Sequence, residues 1–177
     1  MEEKVNVWKA NLNNGVILAL AGIGYSLILY FLGQSFNKGL GYLFILIQFG
    51  LLYFLLKSYR DNFKHGQITY GESVGAGVVI CLYYAIGVAI FTYILYSYID
   101  PGLIAKQLAF TEETMLKKGA PQAAIDATMS ITKKIMKPAI MAPISIFGNM
   151  IWGTIISLVA SIFIRNEGNP LLDTPEN

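Results

Sequence analysis

The chain has one histidine, His65, and one cysteine, Cys81. Any acid–base, nucleophilic or metal chemistry has to be built around these two or around carboxylates. His65 lies in the stretch RDNFKHG, four residues after Asp61, a spacing that sets two ligands, or an acid and a base, on one helix face. An intramembrane enzyme would require His65, Asp61 and Glu72 to converge at one interface. No second histidine or clustered carboxylate completes a metal site, so the plainer reading is a solvated interfacial loop. Cys81 falls in an apolar run with no base nearby and reads as a small packing residue. Glu112 and Glu113 are adjacent, diverge on a helix and make a poor acid–base pair. No glycine-rich stretch has the form of a phosphate cradle. The lysine-rich segment near residue 118 lacks interleaved aromatics, and a net charge of +2 gives no strong attraction to nucleic acid. The sequence therefore points to no catalytic residue, no cofactor, no metal and no nucleic-acid partner, and a non-enzymatic protein is expected.

The elements that carry these residues are apolar. The 177 residues are 55% hydrophobic and 14% charged, too little polar surface to clothe a water-soluble domain of this size. Four runs match the length of a hydrocarbon core, about 20 residues at 1.5 Å each. They cover 14–33, 39–56, 73–99 and 139–164. Backbone groups in lipid must satisfy one another, and the runs do not alternate, so they read as helices and not as barrel strands. The expected fold is all-α: a polytopic membrane protein forming one domain over 1–177, with four transmembrane helices and a polar tail, flexible by composition, over 165–177. The polar start MEEKVNVWKANLNN and the length of the first run argue for a retained span, not a cleaved signal.

Between spans three and four, residues 100–137 form neither a span nor a short loop. Asp100 and Pro101 read as N-cap and first residue of a helix to about Lys118. Gly119 reads as its stop and Pro121 as the start of a second helix with Ile125, Met129 and Met136 on one face. This is an amphipathic helical hairpin. It would lie on the bilayer surface, pack on the bundle or meet a partner.

The spans are striped with small residues, which let helices approach closely in lipid. Gly15, Ala19, Gly22 and Ser26 share one face of span one. Gly71, Gly75, Gly77, Cys81 and Ala85 mark span three, and Asn149, Gly153, Ser157 and Ser161 mark span four. An internal seam is favoured over a dimer face, because four helices must first pack with one another. Gln48 and Asn149 are the candidate polar contacts inside the membrane, each of a type to hydrogen-bond the other. No Asp, Glu, Lys, Arg or His falls inside a proposed hydrocarbon span, which lowers the expectation of an ion-coupled carrier. Pro143, five residues after Pro138, predicts a kink, a late helix start or a simple interfacial turn. Trp152, near the middle of span four, reads as a packed or lipid-facing ring.

Lysine and arginine totals on the two sides are six against seven, which decides nothing. Local balances across spans one and two favour cytoplasmic termini and an external hairpin.

The segment GQITYGESVGAG before span three, the exit YIDPGL, and KKGAPQAAIDATMSITKK leading to a PxxxxP-entered last span resemble a family of bacterial inner-membrane proteins, the domain-of-unknown-function family four-one-nine-nine. The resemblance covers nearly the whole chain. It implies four spans, an inner-membrane address, no assigned chemistry and a role in the bacterial envelope near lipid-linked sugar synthesis. The expected partners are the lipid bilayer and either a membrane protein or further copies of the chain. The expected function is a non-enzymatic accessory or scaffold protein that packs on a partner through small-residue helix faces or the hairpin. The alternative is a small homodimeric carrier, or a flippase for lipids or lipid-linked sugars, using Gln48 and Asn149.

Overall fold

The computed structural model describes residues 6–167. Ten of the thirteen residues of the expected tail, 168–177, lie outside them. The described residues fold into six helices: α1 (Val7–Phe31), α2 (Lys38–Phe63), α3 (Tyr70–Ile94), α4 (Leu103–Lys117), α5 (Gln122–Ile135) and α6 (Pro138–Ile164). The chain continues from α3 through a π-helical turn, Leu95–Ile99. The helices α1, α2, α3 with its π turn, and α6 are long and apolar enough to cross a bilayer. This is an all-α, multi-pass membrane protein.

Each spanning helix starts before the apolar stretch that identifies it, and in α1, α2 and α3 the start is set by a capping side chain outside the hydrocarbon. Asn6 accepts from the amides of Trp8 and Lys9, so α1 starts seven residues before the first span expected from hydropathy. Asn37 does the same for Gly39 and Leu40 at the start of α2. Thr69 and Glu72 form a reciprocal capping box that starts α3. Pro138 opens α6, and the helix continues unbroken past Pro143, which rules out a late start there.

The bundle is organised around α3. In its most apolar 18-residue window 39% of residues are buried, against 17% in α1 and α2. It packs most extensively on α6 and next on α1. The core joins Leu18, Leu52, Leu56, Tyr59, Ile80, Tyr84, Ile156 and Ile164. It is weighted toward one end of the bundle. Buried residues run over Asn11–Gly22 in α1, Gln48–Tyr59 in α2, Ser73–Ala89 in α3 and Gly153–Ile164 in α6. On α1, α2 and α6 they are weighted toward the end that holds the described chain termini and the 64–69 linker, while on α3 burial runs on through Ala89 to Leu95. An antiparallel bridge between Ile68 and Asn166 closes that end. Toward the hairpin the apolar side chains open outward: Leu46 is 70% exposed and Phe147 72%. Trp152 also points out of the bundle.

The hairpin differs from its expected form at its start. Asp100 is not the N-cap of α4. It ends the π turn, its amide bonding the Leu95 carbonyl, and α4 begins only at Leu103. The Asp100 carboxylate accepts from Lys106 Nζ of the hairpin itself at 3.1 Å and from the Tyr30 hydroxyl at 3.3 Å, and the second bond ties the start of the hairpin to the end of α1. Gly119, at φ +70°, reverses the chain between α4 and α5. Ile125 and Met129 are buried, Met136 is half-buried, and Lys133, Lys134 and Asp126 face outward.

Candidate functional site

The seam is a zipper of side chains too small to separate the helices. A Cβ on Gly77 would stand 2.8 Å from Ser157 Cβ, and one on Gly153 would stand 2.6 Å from Cys81 Cβ. These α3–α6 pairs are four residues apart on each helix, in the antiparallel register that also joins Ile68 to Asn166. The same register sets Ser73 opposite Ser161. Both are fully buried, and neither hydroxyl has a partner among the described residues. Ser157 instead returns its hydroxyl to the Gly153 carbonyl at 2.7 Å.

The stripe on α1 meets the other side of α3. Gly15 lies against Tyr83, Gly22 against Tyr84 and Phe44, and Ala19 against Gly87. Gly87, Tyr83 and Tyr84 were not singled out in the sequence. The signal for the first was the four-residue step from Tyr83. Ser26, the fourth member of the α1 stripe, is half-buried beyond the last buried residue of that helix. Gly71 and Gly75 do not take the expected part in packing. Both are exposed, with nothing within 4 Å of an added Cβ. The face toward α6 passes through Ser73, Gly77 and Cys81, and a two-residue offset turns a helical position about 200° away.

The two intramembrane amides are not brought together by a hydrogen bond. Asn149 donates to the Ser145 carbonyl of its own helix at 2.8 Å. Gln48 is buried on α2.

The three candidate acid–base residues, Asp61, His65 and Glu72, lie at the termini end. Lys64 pairs with Glu72 at 2.6 Å, and Arg60 with Asp61 at 2.8 Å. Arg60 also donates to the Ile164 carbonyl at 3.2 Å, anchoring α2 to the end of α6. The bond from Glu72 holds the Lys64 ammonium above its ordinary pKa. His65 is exposed and sits in the left-handed region at φ +52°. No hydrogen bond joins it to Asp61 or Glu72 among the described residues; each carboxylate is engaged by a cation instead. Nor do the described residues hold three His, Cys, Asp or Glu side chains grouped to bind a metal. Beneath the Lys64–Glu72 pair, an apolar slot of about 360 Å³ is lined by Trp8, Tyr59, Gly75, Ala76 and Val79.

A second cavity, of about 520 Å³, lies at the opposite end, between the α1–α2 turn and α4. Phe36 and Phe110 stack at 5.8 Å in its wall. Lys38, Lys118, Gln34, Asn37 and Thr114 supply its polar lining. The architecture offers packed small residues in the membrane and a cavity at each of its two surfaces, with no reactive constellation among the described residues.

No curated protein and no solved structure matches the chain at a significant level. A family described as "Protein of unknown function (DUF4199)" matches residues 13–166, from the first turns of α1 to the strand-like pairing after α6. With nearly all of the four-span bundle inside that match, the chain belongs to the DUF4199 family.

Proposed function

We propose that this protein is a non-enzymatic accessory or scaffold protein of the bacterial inner membrane, with cytoplasmic termini and a periplasmic hairpin that docks on another envelope membrane protein. The observation that carries this reading is how the apolar surfaces are used. The glycines Gly15, Gly22 and Gly153 of the stripes on α1 and α6 are spent on α3 and its neighbours inside one chain. Outside the spans the hairpin still presents unpaired apolar side chains. Leu116 is 55% exposed, Ile131 62% and Ile135 45%. Ile131 and Ile135 share a face of α5 one turn apart, beside the face that buries Ile125 and Met129. A solvent-facing apolar strip next to a packed one is the usual signature of a docking helix.

The carrier or flippase reading has weaker support. Asn149 bonds its own helix, and neither Gln48 nor Asn149 lines either of the two cavities described above.

A photo-crosslinking residue at Ile131, activated in intact cells, tests the docking. The expected product is one discrete adduct with a different membrane protein, absent when the probe is moved to Asp126 on the polar face. Crosslinks to lipid or to a second copy alone would overturn the scaffold reading. For the membrane topology, a cysteine at Lys118 should react with an impermeant thiol reagent in whole cells. Labelling only after lysis would reverse the assignment of sides.

A further inference from the structure

We propose that the cavity between the α1–α2 turn and α4 binds the phosphate of an anionic lipid headgroup, clasped between Lys38 and Lys118. Four observations meet at this place. The cavity, about 520 Å³, is large enough for a phosphodiester headgroup, and no carboxylate lines it. Its two lysines make no ion pair among the described residues, whereas Lys106 and Lys117 of the same hairpin are paired with Asp100 and Glu113. The lysines are therefore uncompensated charges converging on one hollow, at whose edge α2 begins under its Asn37 cap. A partial positive charge at a helix start adds to the same field.

The polar and apolar parts are also arranged as an amphiphile requires. The amides of Gln34 and Asn37 and the Thr114 hydroxyl lie beside the lysines, while Phe36 and Phe110 form the remaining wall. The cavity sits where α1 leaves the bilayer at Phe31 and α2 re-enters at Lys38. Phe31, 79% exposed, Leu32, 65%, and Tyr42, 69%, lie just below it on the membrane side. They lie at the end of the bundle where α1 and α2 have no buried residue, since burial in α1 ends at Gly22 and in α2 begins at Gln48. A headgroup in the cavity would thus have its chains laid along exposed apolar helix surface. A free phosphate would use only the lysines.

The test is lipid titration of the purified full-length protein in a zwitterionic detergent, read as thermal stabilisation. Phosphatidylglycerol should stabilise it, and phosphatidylcholine should not. The double variant Lys38→Gln/Lys118→Gln should need about 30-fold more phosphatidylglycerol for the same shift, the loss expected for two lysines at an anionic surface. Lys38→Arg/Lys118→Arg keeps both charges and should respond like the wild type, which separates lost binding from damaged folding. The pair Lys9→Gln/Lys57→Gln removes the same charge at the other end and should also leave the response intact. An unchanged response in Lys38→Gln/Lys118→Gln, or an equal loss in Lys9→Gln/Lys57→Gln, would overturn the site. Inorganic phosphate that reproduces the full shift without lipid would overturn the lipid as its occupant.

Discussion

The two halves of this bundle are built from the same kind of apolar helix and are held together differently. In the half nearer the termini, α1 and α6 press glycines and serines onto α3, and every long helix contributes buried residues. In the half nearer the hairpin the same helices carry large side chains that point outward, such as Leu46, Ile144 and Phe147. Lipid is as apolar as leucine, so burying a large side chain between spans brings little hydrophobic gain. Close backbone approach brings dispersion contacts that lipid cannot match in geometry. Small residues therefore decide where the bundle is tight. The open half is left to the hairpin, whose attachment there is local: the Tyr30 hydroxyl on Asp100, and Phe36 stacked on Phe110.

The sharpest way to break that contrast is to crowd the seam. Gly77→Leu puts a branched side chain where a Cβ alone would stand 2.6 Å from Ser157 Oγ and 2.8 Å from its Cβ. The hydroxyl can turn about the Cα–Cβ bond, but the Cβ is fixed by the Ser157 backbone and cannot swing away. Insertion of extra methylenes into a packed interior costs roughly 1–3 kcal/mol, sometimes more, and here the two principal helices must move apart. The expected outcome is loss of most folded protein in detergent, measured by size-exclusion recovery after mild heating. Full recovery would mean that the α3–α6 contact does not determine stability.

The hairpin should fail separately. Ile125 is 1% exposed, and Ile125→Ala removes about 2–5 kcal/mol of local packing if the site cannot collapse. Limited proteolysis should then cut between residues 100 and 137 while the bundle keeps its thermal transition. If the bundle's transition falls as far as the hairpin's protection does, the two regions are one cooperative unit and the contrast drawn above is wrong.

Two smaller substitutions sharpen the account of the seam. Gly77→Ala should be rescued in part by Ser157→Gly, which removes the atoms its Cβ meets, with a coupling of about 0.5–3 kcal/mol in a double-mutant cycle. Additive effects would place the clash elsewhere. Gly75→Ala, two residues away, meets nothing within 4 Å. It should be neutral or stabilise α3 by roughly 0.5–1 kcal/mol through helix propensity.

Gly75 also shows where sequence reading stops. The four spans were legible because hydropathy and length are local properties, and the hairpin's turn was legible because Gly119 and Pro121 punctuate it. The choice between Gly75 and Gly77 was not, since both are small, both lie in an apolar helix, and only the neighbour on α6 tells them apart. Gln48 and Asn149 failed as a pair for a related reason. An asparagine in a helix can satisfy itself on the carbonyl four residues back, and Asn149 does so. Asp100 looked like a cap because it precedes Pro101, but the π turn before it consumes its amide and frees its carboxylate for Lys106 and Tyr30. The lysine cavity at Lys38 and Lys118 joins residues eighty positions apart, beyond the reach of any local pattern.

The Asp100 contact supplies the gentlest test. The hydrogen bond from Lys106, with smaller help from its charge, the Tyr30 hydroxyl and the Gly102 amide, holds the Asp100 carboxyl below its ordinary pKa. A carboxyl whose folded value is depressed stabilises the fold above its ordinary value and loses that contribution as pH falls through the folded one. Protease protection of the hairpin should therefore be flat from neutral pH down to about 5 and decline below about 4. Asp100→Asn should show the acid level of protection at neutral pH and little further decline. Glu113→Gln removes the exposed pair with Lys117 and should leave the decline in place, because an exposed pair within one helix does not tie the hairpin to α1. A decline that survives in Asp100→Asn would assign the acid response to other carboxyls and leave the hairpin's attachment to contacts that do not titrate there, such as the Phe36–Phe110 stack and the bond from Tyr96 to Gln107.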